Sequence, residues 1–130
     1  MEEQDKKKIL LVDDEEEVLD LLGNTLKRHG YEVALASCGA DAIELAKQVM
    51  PDLIILDMVM PDIYGADVAK TLSKDYETRD IPIVFLTGIA DSSDEPLGIK
   101  AGKHYGVLAK PVDEAKLLST IEEFSRFRPS

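Results

Sequence analysis

A three-layer α/β fold is what the sequence predicts: a five-stranded parallel sheet, doubly wound as (βα)5, with helices on both faces. Three observations predict it. Short apolar runs recur without alternation, and each ends abruptly on polar residues. Stretches whose apolar residues repeat near 3.6 lie between them. The chain has 130 residues, 45% hydrophobic and 32% charged, which suits one globular domain with its own core. Runs that are apolar throughout belong to strands buried on both faces, and helical crossovers are how parallel strands are joined.

The first run, Ile9-Leu-Leu-Val12, is too short for a helix and is closed by Asp13 and Asp14. Val18, Leu19, Leu21, Leu22 and Leu26 then mark an amphipathic helix. Glu15, Glu16 and Glu17 fall in its first turn, where the helix dipole favours anions, and Gly30 stops it. Residues 31–36 form a less regular second strand. Ala42, Ile43, Ala46 and Val49 mark a second helix, ended by Pro51. Leu53-Ile-Ile-Leu56 is the third strand and ends on Asp57; Val68, Ala69 and Leu72 lie on the third helix. Ile83-Val-Phe-Leu86 is the fourth strand and ends on Thr87-Gly88. A short fourth helix over 93–101 is weakened by Pro96 and Gly98. Val107-Leu108 leads into Lys110-Pro111, and Asp113 caps a last helix carrying Leu117, Leu118, Ile121 and Phe124. Residues 1–8 are expected to be a flexible leader, 9–126 the folded domain and 127–130 a tail.

Charge and composition exclude several functions. The 26 Asp+Glu outnumber the 15 Lys+Arg, for a formal net charge of −11, which repels nucleic acid phosphates. Cys38 is the only cysteine, so neither an internal disulfide nor a Cys₂His₂ or Cys₄ zinc site can form. No apolar run approaches the roughly 18 residues of a membrane helix, and the first residues lack the apolar stretch of a signal peptide. A cytoplasmic protein without direct contact to nucleic acid or membrane is expected, as a monomer or weak dimer. His29 and His104 sit in no metal-ligand spacing and read as surface residues.

Ligands of a doubly wound sheet bind outside the carboxyl ends of its strands. Asp13 and Asp14 follow the first strand, Asp57 the third, Thr87 the fourth and Lys110 the fifth. One sheet edge thus collects three carboxylates, a hydroxyl and an ammonium. Clustered carboxylates repel one another and raise each other's pKa unless a cation intervenes. Lys110 offsets one charge, and a divalent cation complements the rest. An all-oxygen site suits Mg²⁺ or Mn²⁺, with phosphate oxygens completing the shell. Phosphoryl transfer needs mainly positioning and charge neutralisation, and a carboxylate can itself be the nucleophile.

These residues resemble a receiver domain of two-component response regulators, such as the chemotaxis response regulator, over about residues 8–126. Ile9-Leu-Leu-Val-Asp-Asp-Glu15 is similar to that family's first strand and acidic pair. Asp57-Met-Val-Met-Pro-Asp-Ile-Tyr-Gly65 is similar to its phosphoacceptor run, Thr87-Gly88 to its switch threonine, and Ala101-Gly102 and Lys110-Pro111 to its last two signatures. The resemblance implies a flavodoxin-like fold and a bacterial phosphorelay protein. It implies that Asp57 receives a phosphoryl group from a histidine kinase or histidine phosphotransfer protein. Asp14, Asp57 and the carbonyl of Val59 would bind Mg²⁺, with Asp13 acting chiefly through water. Lys110, after a cis Lys110–Pro111 bond, would pair with the phosphoryl oxygens, and Thr87 would move toward them. Such a protein catalyses only its own phosphorylation and dephosphorylation. It signals by conformational change to a downstream protein target, or passes the phosphoryl group on to a histidine phosphotransfer domain; it can also be a receiver excised from a longer regulator or hybrid kinase.

Three rivals fit less well. A degenerate receiver used only as a protein-binding module would lack one of Asp13, Asp14, Asp57, Thr87 and Lys110, and none is missing. A flavin-binding electron carrier needs a neutral phosphate loop after the first strand, where Asp13-Asp-Glu-Glu-Glu17 stands. An aspartyl phosphatase places a second acid two residues past its nucleophile, where Val59 stands. Val107 occupies the position, three before the lysine, at which receivers usually carry a switch aromatic, and 102–110 is one residue longer than common. The expected output is therefore a rearrangement after Thr87.

Overall fold

The computed structural model describes residues 6–88 and 105–125. In chain order these form β1 (Lys8–Val12), α1 (Glu16–Arg28), β2 (Glu32–Ala36), α2 (Gly39–Val49), β3 (Leu53–Asp57), α3 (Gly65–Ser73), β4 (Ile83–Thr87), β5 (Tyr105–Ala109) and α4 (Glu114–Ser125). All five strands pair in parallel, in the order β2-β1-β3-β4-β5. The expected fourth helix over 93–101 lies outside the described residues, as does His104. Among the described residues no helix is long and apolar enough to cross a membrane.

Side chains alternate along a strand, so each apolar run feeds two cores. Leu10, Val12, Ile54, Leu56, Ile83 and Phe85 meet Ala42, Ala46, Val68, Ala69 and Leu72 from α2 and α3. Ile9, Leu11, Leu53, Ile55, Val84, Leu86 and Leu108 meet Leu19, Leu22, Leu26, Leu117 and Ile121 from α1 and α4. Every residue of β3 is buried, whereas the edge strand β2 buries only Ala36 fully. This explains why residues 31–36 read as the least regular strand.

The helix ends follow local chemistry. After α1, Gly30 adopts φ +90°, and the amides of Gly30 and Tyr31 donate back to Lys27 and Leu26, closing the last turn. α4 is capped as expected, with the Lys116 amide donating to Asp113 Oδ2 at 3.1 Å. The chain runs outward from β1 to β2, then returns past β1 to β3. That reversal opens a crevice between the carboxyl ends of β1 and β3.

Candidate functional site

The acidic cluster lies at this crevice. Asp13 is the first residue beyond β1, and Asp57 is the last residue of β3. Oxygens of Asp13, Asp14 and Asp57 all come within 4.8 Å of one another. Asp13 is wholly buried, Asp57 is 6% exposed, and Asp14 is open to solvent. The next two strands supply the remaining groups. Thr87 ends β4 in register with Ala109 of β5, and its carbonyl accepts the Lys110 amide at 2.8 Å. The Lys110–Pro111 bond is cis.

Lys110 reaches three carboxylates. Its Nζ lies 2.9 Å from Asp13 Oδ2, 3.4 Å from Glu15 Oε1 and 3.6 Å from Asp57 Oδ2. Burial pushes the lysine pKa down, but Asp13, Asp57 and Glu15 together more than reverse this, and the net shift is upward. The Asp57 carboxyl is pushed up to about 6. Burial is the largest cause and repulsion by Asp13 the second. Lys110 and the Val59 amide, 3.4 Å from Asp57 Oδ1, work against it. The sequence pointed to mutual repulsion; loss of water around Asp57 proves the stronger influence.

Asp13 Oδ1 accepts the Glu15 amide at 2.9 Å. Its buried Oδ2 has no hydrogen-bond partner of acceptable geometry, although the Lys110 ammonium is in ion-pair range. A buried carboxylate oxygen with an unused lone pair, beside two further carboxylates, fits a hard divalent cation such as Mg²⁺.

Two contributors, Glu15 and Asp62, were not evident from sequence, and for a third, Gly65, the motif gave the residue without its reason. Glu15 reads as a first-turn acid, yet it shares Lys110 from 95 positions away. Gly65 is required by contact: a Cβ there would lie 2.3 Å from the Asp57 carbonyl oxygen, and its amide donates to Met58 O at 2.7 Å. Asp62 reads as a turn residue, but its two oxygens accept the amides of Gly39 and Ala40 at the start of α2, at 3.0 and 3.1 Å.

Comparison with known proteins agrees with this architecture. A family model described as response regulator receiver domain matches residues 9–122. Protein PilH of Pseudomonas aeruginosa is 39% identical over 114 residues, covering 88% of this chain and 93% of PilH. Two longer regulators are matched over only 26% and 49% of their own lengths. Among solved structures, chemotaxis protein CheY4 of Vibrio cholerae superposes with a TM-score of 0.82 at 30% identity, over 92% of this chain and 98% of that one. The receiver domain of sensor histidine kinase PA1611 from Pseudomonas aeruginosa, described with a magnesium ion coordinated in its active site cleft, gives 0.83 at 27% identity, over 93% and 98%.

Proposed function

The chain belongs to the response regulator receiver domain family, a signalling domain of two-component systems, and on that premise we propose that Asp57 is its phosphoacceptor. An oxygen of Asp57 attacks the phosphorus of a phosphohistidine on a histidine kinase or phosphotransfer protein. The O–P bond forms as the P–N bond breaks, and the electron pair leaves with the imidazole nitrogen. Water later cleaves the acyl phosphate and releases inorganic phosphate.

Each neighbour has a task. Lys110, already 3.6 Å from Asp57, neutralises the incoming phosphoryl oxygens. The Thr87 hydroxyl, on the adjacent strand end, hydrogen-bonds one of them. Asp13, Asp14, Asp57 and the main chain of Val59 would hold Mg²⁺, which supplies divalent charge to the transferring group. Val59 offers no second acid or base two residues beyond Asp57, so turnover on outside substrates is not expected. The domain spans 9–126, works in the cytoplasm and signals to a protein target by changing shape.

The single observation that carries this reading is the convergence of Asp57, the buried Asp13 carboxylate and Lys110 at one strand-end crevice. Incubation with Mg²⁺ and acetyl phosphate should add the mass of one phosphoryl group to the wild type and none to Asp57→Asn. An equal gain in both proteins would overturn the assignment.

A further inference from the structure

The loop of residues 58–64, which begins directly after Asp57, is tied down at two places. At its base the Gly65 amide donates to Met58 O at 2.7 Å. At its tip Asp62 accepts both the Gly39 and Ala40 amides, at 3.0 and 3.1 Å. Those two hydrogen bonds hold the Asp62 carboxyl below its usual range, so it stays ionised as an acceptor. The neighbouring Ile63 lies directly over Gly39, where a Cβ would strike its Cγ2 methyl.

α2 is itself joined to the acidic site. The Asp13 amide donates to the carbonyl of Ala36, the last residue of β2, at 3.2 Å, and only Ser37 and Cys38 separate Ala36 from Gly39. Asp62 therefore closes a ring around the crevice: Asp13, the end of β2, the first turn of α2, the loop, and Asp57. Between the two ties the loop presents the main chain of Val59, whose amide sits over Asp57 Oδ1.

We infer that Asp62 is a positioning residue for the acidic site: by clamping the 58–64 loop to the first turn of α2 it fixes the Val59 main chain where a divalent cation is bound. This rests on the reading of Asp13, Asp14, Asp57 and Val59 as the Mg²⁺ site. Asp62 is not one of the three carboxylates that converge there; both its oxygens are engaged by α2 amides. A ligand carried on a loop binds well only if the loop is already in place, because otherwise binding must also order it.

The test is Mg²⁺ titration of the folded chain followed by the backbone amides of Val59, Gly39 and Ala40 in NMR. Asp62→Ala should raise the Mg²⁺ midpoint about tenfold. Asp62→Asn keeps one acceptor oxygen and should raise it less; it also decides the matter should Asp62→Ala not fold. Asp75→Ala serves as control. Asp75, just past the end of α3, also holds α2, through Lys47 3.3 Å away, but near the far end of that helix. It should leave the midpoint unchanged. In phosphorylation by acetyl phosphate, the Asp62 variants should need more Mg²⁺ for half-maximal rate yet keep the rate at saturation. A wild-type midpoint in both Asp62 variants, or an equal rise in Asp75→Ala, would overturn the inference while leaving Asp57 as phosphoacceptor. Absence of any Mg²⁺ response in the wild type would remove the metal reading and this inference together.

Discussion

Asp57 carries its charge at a disadvantage in the folded chain. Burial first, and Asp13 second, raise its pKa from 3.8 to about 6. The sign of the consequence follows from linkage. Between these values the native state holds a proton that the unfolded chain has released, so raising the pH through 6 removes stability. At neutral pH the penalty is roughly 2–3 kcal/mol, from about 1.4 kcal/mol per pKa unit. Asp57→Asn replaces the carboxylate with a neutral group of the same shape. It should be more stable than the wild type at pH 7.5 by roughly that amount. The gap should shrink as the pH falls below 6 and close only at about pH 3, below both pKa values, where Asp57 is neutral in both states. Urea unfolding at a series of pH values measures it, and a gap independent of pH would show that Asp57 is not strained by its charge. The same conflict favours the cation proposed for this site: Lys110 stands nearest to Asp13 and farther from Asp57, leaving the Asp57 carboxylate only partly compensated.

The elements deliver these residues by contacts that differ in how far sequence reveals them. An apolar run that stops on a polar residue marks its own carboxyl end, which is why Asp13, Asp57, Thr87 and Lys110 were legible one by one and the parallel sheet then gathered them. The clamp from Asp62 was not legible, because its partners lie 22 and 23 positions away and periodicity carries no information on which loops adjoin. Gly65 was visible as a motif letter, while its reason is an inter-element distance. Gly65→Ala should therefore destabilise the fold by about 1–3 kcal/mol, since the methyl meets the backbone of the central strand, which cannot yield. Gly39→Ala should be milder: its methyl meets side-chain methyls of Ile63 and Val68 and no backbone. Equal losses in urea midpoint would contradict this ordering. On the other side of the crevice α1 offers an apolar groove of about 350 Å³, lined by Val18, Leu21, Leu22, Pro111 and Val112 and sharing Glu15 and Lys110 with the site. For the phosphohistidine donor proposed above, this rim is the apolar surface adjoining Asp57, and Leu21 stands 66% exposed on it. Leu21→Ala should slow phosphotransfer from such a donor about tenfold, the effect of losing one apolar anchor, and leave phosphorylation by acetyl phosphate unchanged. Equal slowing with both donors would place the defect in the site and not in docking.

Across the whole molecule, the phosphoryl group proposed for Asp57 sits at one end of the sheet and must alter the surface from there. The central strands are packed on both faces and give little room for movement. β5 is the edge strand next to Thr87, and Tyr105, Val107 and Ala109 lie on the face it shares with Phe85. Val107 is 37% exposed and β-branched, with a stiff χ1 and no polar tip for Thr87 to engage. Tyr105 lies two residues farther back, about 6.6 Å along the strand. Its ring is stacked on the fully buried Phe85, with centroids 5.9 Å apart and planes at 30°. Swinging it toward Thr87 would uncover Phe85 and forfeit the stacking. Neither residue is built to move inward when the site fills. The change should therefore pass through the segments attached to the strand ends: the loop 58–64 beyond Asp57 and the stretch after Thr87. With beryllofluoride as a stable phosphoryl mimic and Mg²⁺ present, backbone NMR shifts should be large across 58–64 and 88–100 and small at 105–107. The ring signals of Tyr105 should keep their stacked environment. A dominant rotamer change of Tyr105, or loss of target binding in Tyr105→Ala while residues 88–100 keep their shifts, would show that this chain signals through an aromatic on β5 after all.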